Sequence, residues 1–243
     1  MFTLDEVKLK ARRNNNDSNK RLHFFASHFS IYFSWIFLNF RLSADAVTGI
    51  FFITGLCGAL LFSYSDPVFV IIAYSLWRLH IIFDICDGEV ARFTQKFSIN
   101  GAYWDYMIHS VLYPLTYASI CFALYKKFNN DTFLILAAFG SIIVSQTLSV
   151  KNNYYRAMLF NGDQIDNSRS ASQASALKAY VINISVGLFN FEGFLLAYLA
   201  LSLIGASSEI YLSLVVIYTL SLALQVFIKF ILFTKKGFYT RRS

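Results

Sequence analysis

Apolar segments long enough to cross a bilayer occupy most of this chain and leave few folds open to it. A transmembrane helix needs about 20 mostly apolar residues. Of the 243 residues, 56% are hydrophobic and 14% are charged, and the mean hydropathy of +0.51 is typical of a protein surrounded by lipid. Six segments are long enough: 44–63, 67–90, 103–125, 132–155, 180–205 and 209–234. The sequence therefore predicts an all-α integral membrane protein with six transmembrane helices.

The segment 23–40 is also apolar, but it is shorter than a span and contains two histidines and four serine or asparagine residues. Basic residues flank it, so we interpret it as an N-terminal interfacial amphipathic helix. The first 22 residues are polar and charged, without the apolar core of a secretory signal peptide. We expect a cytoplasmic N-terminus with this helix over 1–43, a six-helix membrane domain over 44–234 and a basic cytoplasmic tail over 235–243.

The distribution of basic residues predicts the orientation in the membrane. If both termini are cytoplasmic, seventeen lysines and arginines fall in inside segments and two, Lys126 and Lys127, fall outside. This asymmetry follows the positive-inside rule and fits an even number of spans. The net charge of +7 then indicates attraction to anionic lipid headgroups rather than to nucleic acid, because no basic stripe lies on a soluble domain. We expect a multi-pass protein of a bacterial inner membrane.

Four ionisable residues interrupt the apolar pattern near the ends of the second and third spans. Asp84 and Asp87 share one helix face, and Asp105 and His109 share another. A carboxylate inside the bilayer costs about 2.5 to 3.5 kcal/mol and needs compensation. A divalent cation would compensate three acids better than the nearby Arg92, and Mg²⁺ binds a few carboxylates together with substrate phosphates. The alternative is a solvated turn whose acids face water.

Small and basic residues accompany these acids at fixed positions. Gly88 and Ala91 follow Asp87, and small side chains there would let a ligand approach the backbone. Arg92 offers a planar fork to phosphate, and Gly101 opens the third span. The combination favours a site for phosphate and metal.

Residues 84–109 read D-x2-D-G-x2-A-R-x8-G-x3-D-x3-H. This resembles the signature of the CDP-alcohol phosphotransferases (CDP-alcohol phosphatidyltransferases), D-x2-D-G-x2-A-R-x8-G-x3-D-x3-D, at every position except the last. The stretch LSADAVTG at 42–49 is also similar to the family's TPNxVT entry to the first span, with Asp45 in the asparagine position and Thr48 retained.

The resemblance implies a metal-dependent transferase of phospholipid biosynthesis. A hydroxyl acceptor would attack a CDP-linked alcohol, often CDP-diacylglycerol, and CMP would leave. The matching positions imply that Asp84, Asp87, Asp105 and His109 hold one or two Mg²⁺ or Mn²⁺ ions, with His109 and Asp105 catalytic. They imply further that the nucleotide lies against Gly88, Ala91, Arg92, Gly101 and Thr48. Homodimerisation is common among such relatives.

His109 stands where the family has its fourth acid. A neutral imidazole can accept a proton or bind a metal, but it supplies no negative charge. A second ion should bind more weakly, or the preference should move toward Mn²⁺ and other metals that accept imidazole. Three interpretations are possible: an active enzyme with His109 as the base, an active enzyme with a changed metal arrangement, or a degenerate site that binds nucleotide without turnover.

A non-enzymatic protein of another class, a small-solute transporter, is the remaining alternative. A transporter usually distributes ionisable groups at the bilayer midplane, on broken helices. Here they cluster near one membrane face, which favours the enzyme.

Overall fold

The computed structural model of this chain describes residues 2–11, 24–160 and 190–237. Within these ranges the chain is helical and contains no strand, which confirms the predicted all-α class. The described helices are α1 (Leu4–Ala11), α2 (Phe24–Asn39), α3 (Ala44–Leu61), α4 (Pro67–Thr94), α5 (Ile99–Phe128), α6 (Thr132–Phe160), α7 (Phe191–Ile204) and α8 (Ser208–Gly237).

Five of the described helices are long and apolar enough to cross a membrane, as expected for a multi-pass membrane protein. They contain the segments Ala44–Leu61, Pro67–Thr94, Tyr103–Phe128, Thr132–Met158 and Ser208–Thr234. The predicted span 180–205 lies partly outside the described residues, and its described part forms the 14-residue helix α7. The predicted N-terminal helix forms as α2, and its interfacial position stays a prediction.

Capping residues, rather than the apolar runs, fix the ends of the helices that carry the predicted site. Ser43 accepts a hydrogen bond from the backbone N–H of Ala46 at the start of α3 (3.2 Å). Asp66 accepts one from Val68 at the start of α4 (2.8 Å). The α4 helix ends at Thr94 and is capped by Gln95, whose φ of 55° is left-handed. The α4 helix therefore continues four residues beyond the predicted span 67–90.

The chain packs as two compact units, Met1–Leu112 and Tyr113–Ser243, with the division inside α5. In the first unit α3 packs closely on α4. A Cβ atom at Gly58 would lie 3.2 Å from the backbone oxygen of Ala73. The missing side chain at this position therefore lets the two helix backbones approach each other.

The N-terminal helices pack on α4 through both apolar and polar contacts. Buried Val7, Ile31, Cys86 and Val90 share one apolar cluster. Glu89 is also buried (4% exposed). Its carboxylate accepts hydrogen bonds from Ser30 Oγ (2.9 Å) and Ser34 Oγ (2.6 Å) of α2, so the polar group is compensated inside the interface.

The first helix begins with a reciprocal cap between Thr3 and Glu6. The Thr3 N–H donates to Glu6 Oε2 (2.9 Å), and the Glu6 N–H donates to Thr3 Oγ1 (3.3 Å). These are the two bonds of a capping box. The bond from the Thr3 backbone holds the pKa of Glu6 below its ordinary value.

The second unit contains a core rich in aromatic rings. Phe194 of α7 and Tyr218 of α8 stack with ring centroids 4.3 Å apart. Buried Tyr117 of α5 shares a 2.6 Å hydrogen bond with Thr219 of α8. The hydroxyl thus has a partner inside the apolar core, as a buried tyrosine requires.

Candidate metal and nucleotide site

Helices α4 and α5 bring three of the four predicted metal ligands together. His109 Nε2 lies 3.0 Å from Asp105 Oδ1 and 3.4 Å from Asp84 Oδ1. One potential ligand atom from each of the three residues lies within 4.8 Å of the others. The four-residue spacing of Asp105 and His109 places them on one face of α5, and the approach of α4 adds Asp84.

Asp87, the fourth predicted ligand, is held by α3. Thr48 donates its hydroxyl hydrogen to Asp87 Oδ2 (3.0 Å). Thr48 is buried (6% exposed), so little water competes for this bond. Asp87 also lies near enough to Asp84 and Asp105 for their charges to interact. Three carboxylates near one another favour binding of a divalent cation.

Arg92, predicted to position phosphate, points toward the end of α1. Its Nε–H donates to the backbone oxygen of Ala11 (2.7 Å), the last residue of α1, whose carbonyl has no partner within the helix. A Cβ atom at Gly88 would lie 3.1 Å from Arg92 Nη1. The missing side chain at position 88 thus leaves space for the guanidinium group.

The other small residues predicted to line the nucleotide lie on the same two helices. Ala91 is partly buried on α4, one turn beyond Asp87. Gly101 lies at the start of α5, where a Cβ atom would be 3.8 Å from Asp45 Oδ1, an ordinary contact distance. The protein alone does not require a glycine at 101. All the predicted site residues belong to the first unit.

A cavity of about 560 Å³ lies between α3 and α5. The lining changes along α3 from polar Asp45 and Thr48 to apolar Phe52. The lining residues of α5 are Trp104, Met107, Ile108 and Val111. Because Thr48 also bonds Asp87, the polar end of the cavity adjoins the carboxylates.

Two aromatic residues outside the predicted site, Phe51 and His80, pack against His109. The Phe51 ring stacks on the His109 ring, with centroids 6.1 Å apart. The centroid of the His80 ring lies 5.6 Å from that of His109, and the two ring planes are inclined at 74°. His80 lies four residues before Asp84 on α4, and this spacing is the signal that could have placed it at the site.

The cluster of Asp84, Asp105 and His109 fits a divalent metal ion by its donor chemistry. Carboxylate oxygens and an imidazole nitrogen are ligands for Mn²⁺, Fe²⁺ and Zn²⁺, whereas Mg²⁺ prefers oxygen alone. Among the residues that the structure describes, this is the group of three such side chains whose ligand atoms converge closely enough to hold an ion.

Fold and site together define a helical membrane protein with a carboxylate and imidazole centre that can hold a metal. Residues 41–205 match the family model of the CDP-alcohol phosphatidyltransferases. Because this match covers more than half of the 243 residues, the chain belongs to the CDP-alcohol phosphatidyltransferase family. The resemblance in the 84–109 signature is thereby confirmed.

A relative from Archaeoglobus fulgidus is named a bifunctional IPC transferase and DIPP synthase. It is 33% identical to this chain over 107 residues, which are 44% of this chain. The match covers only 20% of the relative's own length. The likeness therefore concerns one part of a longer protein.

Proposed function

We propose that this protein transfers a phospho-alcohol group from a CDP-linked alcohol to an acceptor hydroxyl and releases CMP. Family membership over residues 41–205 supports the reaction type. The observation that carries the proposal to particular residues is the convergence of Asp84, Asp105 and His109 within 4.8 Å. In this reaction the acceptor oxygen attacks the phosphorus distal to cytidine, the bond from that phosphorus to CMP breaks, and the hydroxyl proton passes to a base.

Asp84, Asp105 and His109 would hold a divalent cation, with Asp87 as a further carboxylate for the same or a second ion. Such an ion would neutralise the diphosphate and stabilise the departing CMP. Since Mn²⁺ accepts an imidazole ligand more readily than Mg²⁺ does, we expect Mn²⁺ to support the reaction at least as well as Mg²⁺.

His109 can act as a ligand or as the base, but a single nitrogen cannot do both at once. Its Nε2 contacts both Asp84 and Asp105, which favours the ligand role. Asp105 has the most exposed side chain of the three (39%, against 29% for Asp84 and 20% for His109). We therefore assign Asp105 as the base, with one carboxylate oxygen on the ion and the other accepting the hydroxyl proton; His109 as the base is the competing arrangement.

The cytidine diphosphate part of the donor would lie along Gly88, Ala91 and Gly101. Arg92 Nε is already bonded to Ala11. Phosphate contacts would therefore come from its Nη groups, one of which lies next to Gly88. Thr48 would support this part of the site through its hydrogen bond to Asp87.

The cavity between α3 and α5 supports a lipid-linked donor, CDP-diacylglycerol. Its polar end at Asp45 and Thr48 adjoins the carboxylates, and its apolar part beside Phe52 and Ile108 suits an acyl chain. The protein would then act in phospholipid biosynthesis. The charge asymmetry supports cytoplasmic termini, and the family resemblance supports a homodimer. A bacterial inner membrane stays an expectation.

The test measures CMP released by the purified protein with Mn²⁺ or Mg²⁺. CDP-diacylglycerol and a water-soluble CDP-alcohol would be offered with a panel of acceptor alcohols. We expect CMP release, and more from the lipid donor if the cavity holds an acyl chain. Asp105→Asn should abolish it, whereas Asp131→Asn, at an exposed position before α6, should not.

The competing hypothesis is a degenerate site that binds nucleotide without turnover, and the same experiment distinguishes it from an active transferase. Family membership favours the transferase over a small-solute transporter, but a catalytically inactive relative would still bind nucleotide. CDP binding without CMP release from any donor and acceptor pair would establish the degenerate site and contradict the proposed activity.

A further inference from the structure

His80 is a completely buried histidine (0% exposed) on the face of α4 that carries Asp84. Its Nδ1 lies 2.9 Å from the backbone oxygen of Phe51. Because a carbonyl oxygen only accepts, Nδ1 must carry the hydrogen, and the bond fixes the direction of the ring. Its other nitrogen, Nε2, is buried without a hydrogen-bond partner among the described residues.

Helix α3 leaves a space for this ring at Gly55. A Cβ atom there would lie 2.6 Å from His80 Nδ1 and 2.5 Å from Leu112 Cδ1, both closer than real side chains approach. Trp77 packs against His80 as well, with ring centroids 5.1 Å apart. The His80 ring is therefore enclosed and anchored, and it cannot turn without breaking its bond to Phe51.

The enclosed ring of His80 sets the plane of the His109 ring. The ring centroids of His80 and His109 are 5.6 Å apart, and the ring planes are inclined at 74°. Phe51 stacks on His109 with centroids 6.1 Å apart and an interplanar angle of 25°. Two fixed groups thus limit rotation of the His109 imidazole. Since Nε2 lies in the plane of that ring, the same packing keeps it 3.0 Å from Asp105 and 3.4 Å from Asp84.

We propose that His80 is a positioning residue that holds the metal ligand His109 so that its Nε2 faces the ion site between Asp84 and Asp105. The inference rests on the ligand role of His109 in the proposed function. A phenylalanine could fill the same volume without burying an unpaired nitrogen, which is costly. Histidine at this position is therefore explained by the Nδ1–H bond to Phe51, which a phenylalanine cannot make.

The test uses Co²⁺, whose visible absorption reports the geometry of its ligands. His80→Phe keeps an aromatic ring at this position but removes the hydrogen bond to the Phe51 backbone. Gly55→Ala displaces the His80 ring while keeping every polar group. Loss of groups that orient a ligating histidine costs about 10- to 100-fold in metal affinity. We expect both variants to bind Co²⁺ at least about tenfold more weakly, with an altered spectrum. Ile81→Val, a change at the next buried position of α4, should alter neither.

A folded His80→Phe variant with the wild-type Co²⁺ affinity and spectrum would overturn the proposal. If that variant does not fold, judged by size-exclusion chromatography, Gly55→Ala decides by the same criterion. Failure of the wild-type protein to bind Co²⁺, or binding unaffected by Asp84→Asn, would also overturn it. The measurement needs no turnover, so intact Co²⁺ binding without CMP release would contradict the proposed function alone.

Discussion

His109 replaces the last aspartate of the family signature and lies within 3.4 Å of two carboxylates. The replacement adds a nitrogen donor and removes one negative charge from the cluster. Mg²⁺, a harder ion that prefers oxygen ligands, should lose more binding affinity through this change than Mn²⁺ does. We therefore expect this one residue to influence both the preferred ion and the strength of its binding.

Substitution of His109 tests this residue directly. His109→Asp restores the family residue and should bind Mg²⁺ more tightly while keeping or raising CMP release. His109→Ala should reduce kcat by about 100-fold or more, the scale expected for loss of a group at the reacting centre, while CDP still binds. Isothermal titration with Mn²⁺ and with CDP, beside a CMP assay, measures each effect.

The His109→Ala result also separates the two roles of this residue. Weaker Mn²⁺ binding together with lost turnover supports the ligand role. Unchanged Mn²⁺ binding with lost turnover would make His109 the base. Normal turnover would contradict both roles.

The acids of the site could be predicted from the sequence, but their supporting contacts could not. Regular spacing along a helix places Asp105 beside His109, and the signature adds Asp84. The bonds from Thr48 to Asp87 and from His80 to Phe51 join different helices, and no spacing within one helix reveals them.

At the scale of helices, the buried carboxylate of Glu89 joins α2 to α4. Glu89 occupies a variable position of the family signature, so the pattern gave it no role. Ser30 and Ser34, four residues apart in an apolar helix, were the available signal, because serines on one face of such a helix indicate a polar partner. The contact places α2 directly against the helix that carries Asp84 and Asp87.

Loss of one of these serines should weaken the attachment of α2. Ser34→Ala removes the 2.6 Å hydrogen bond to Glu89 and leaves a buried carboxylate with less compensation. The expected cost is about 1 to 3 kcal/mol of stability, seen as a lower thermal unfolding temperature in detergent. Ser75→Ala, an exposed serine of α4 that bonds its own helix, is the matched control. An equal effect of the two changes would contradict the role of Glu89.

The five long helices were predictable because each apolar run is close to the length that a bilayer requires. Helix α1, in the polar first 22 residues, was not predicted. Helix ends were not predictable, because α4 continues through its polar residues to Thr94 and stops only at the left-handed Gln95. The contact of α1 with α4 includes the hydrogen bond from Arg92 to Ala11, 81 residues away in the chain. Such a contact leaves no periodic signal in the sequence.

At the scale of the whole molecule, every predicted site residue lies in the first unit, whereas the family match continues to residue 205. The first unit by itself supplies the carboxylates, the imidazole and the cavity between α3 and α5. We propose that this cluster binds the ion on which transfer depends. Removing the ion should therefore abolish the reaction without unfolding the protein.

CMP release before and after chelation shows whether transfer depends on the ion. Purified protein stripped with EDTA and given CDP-diacylglycerol with the acceptor panel should release no CMP, and added Mn²⁺ should restore the original rate. Asp84→Asn should stay inactive at the same Mn²⁺ concentration, while Asp131→Asn should recover like the wild type. Full CMP release by the stripped protein, or full recovery of Asp84→Asn, would show that transfer does not depend on an ion at this cluster.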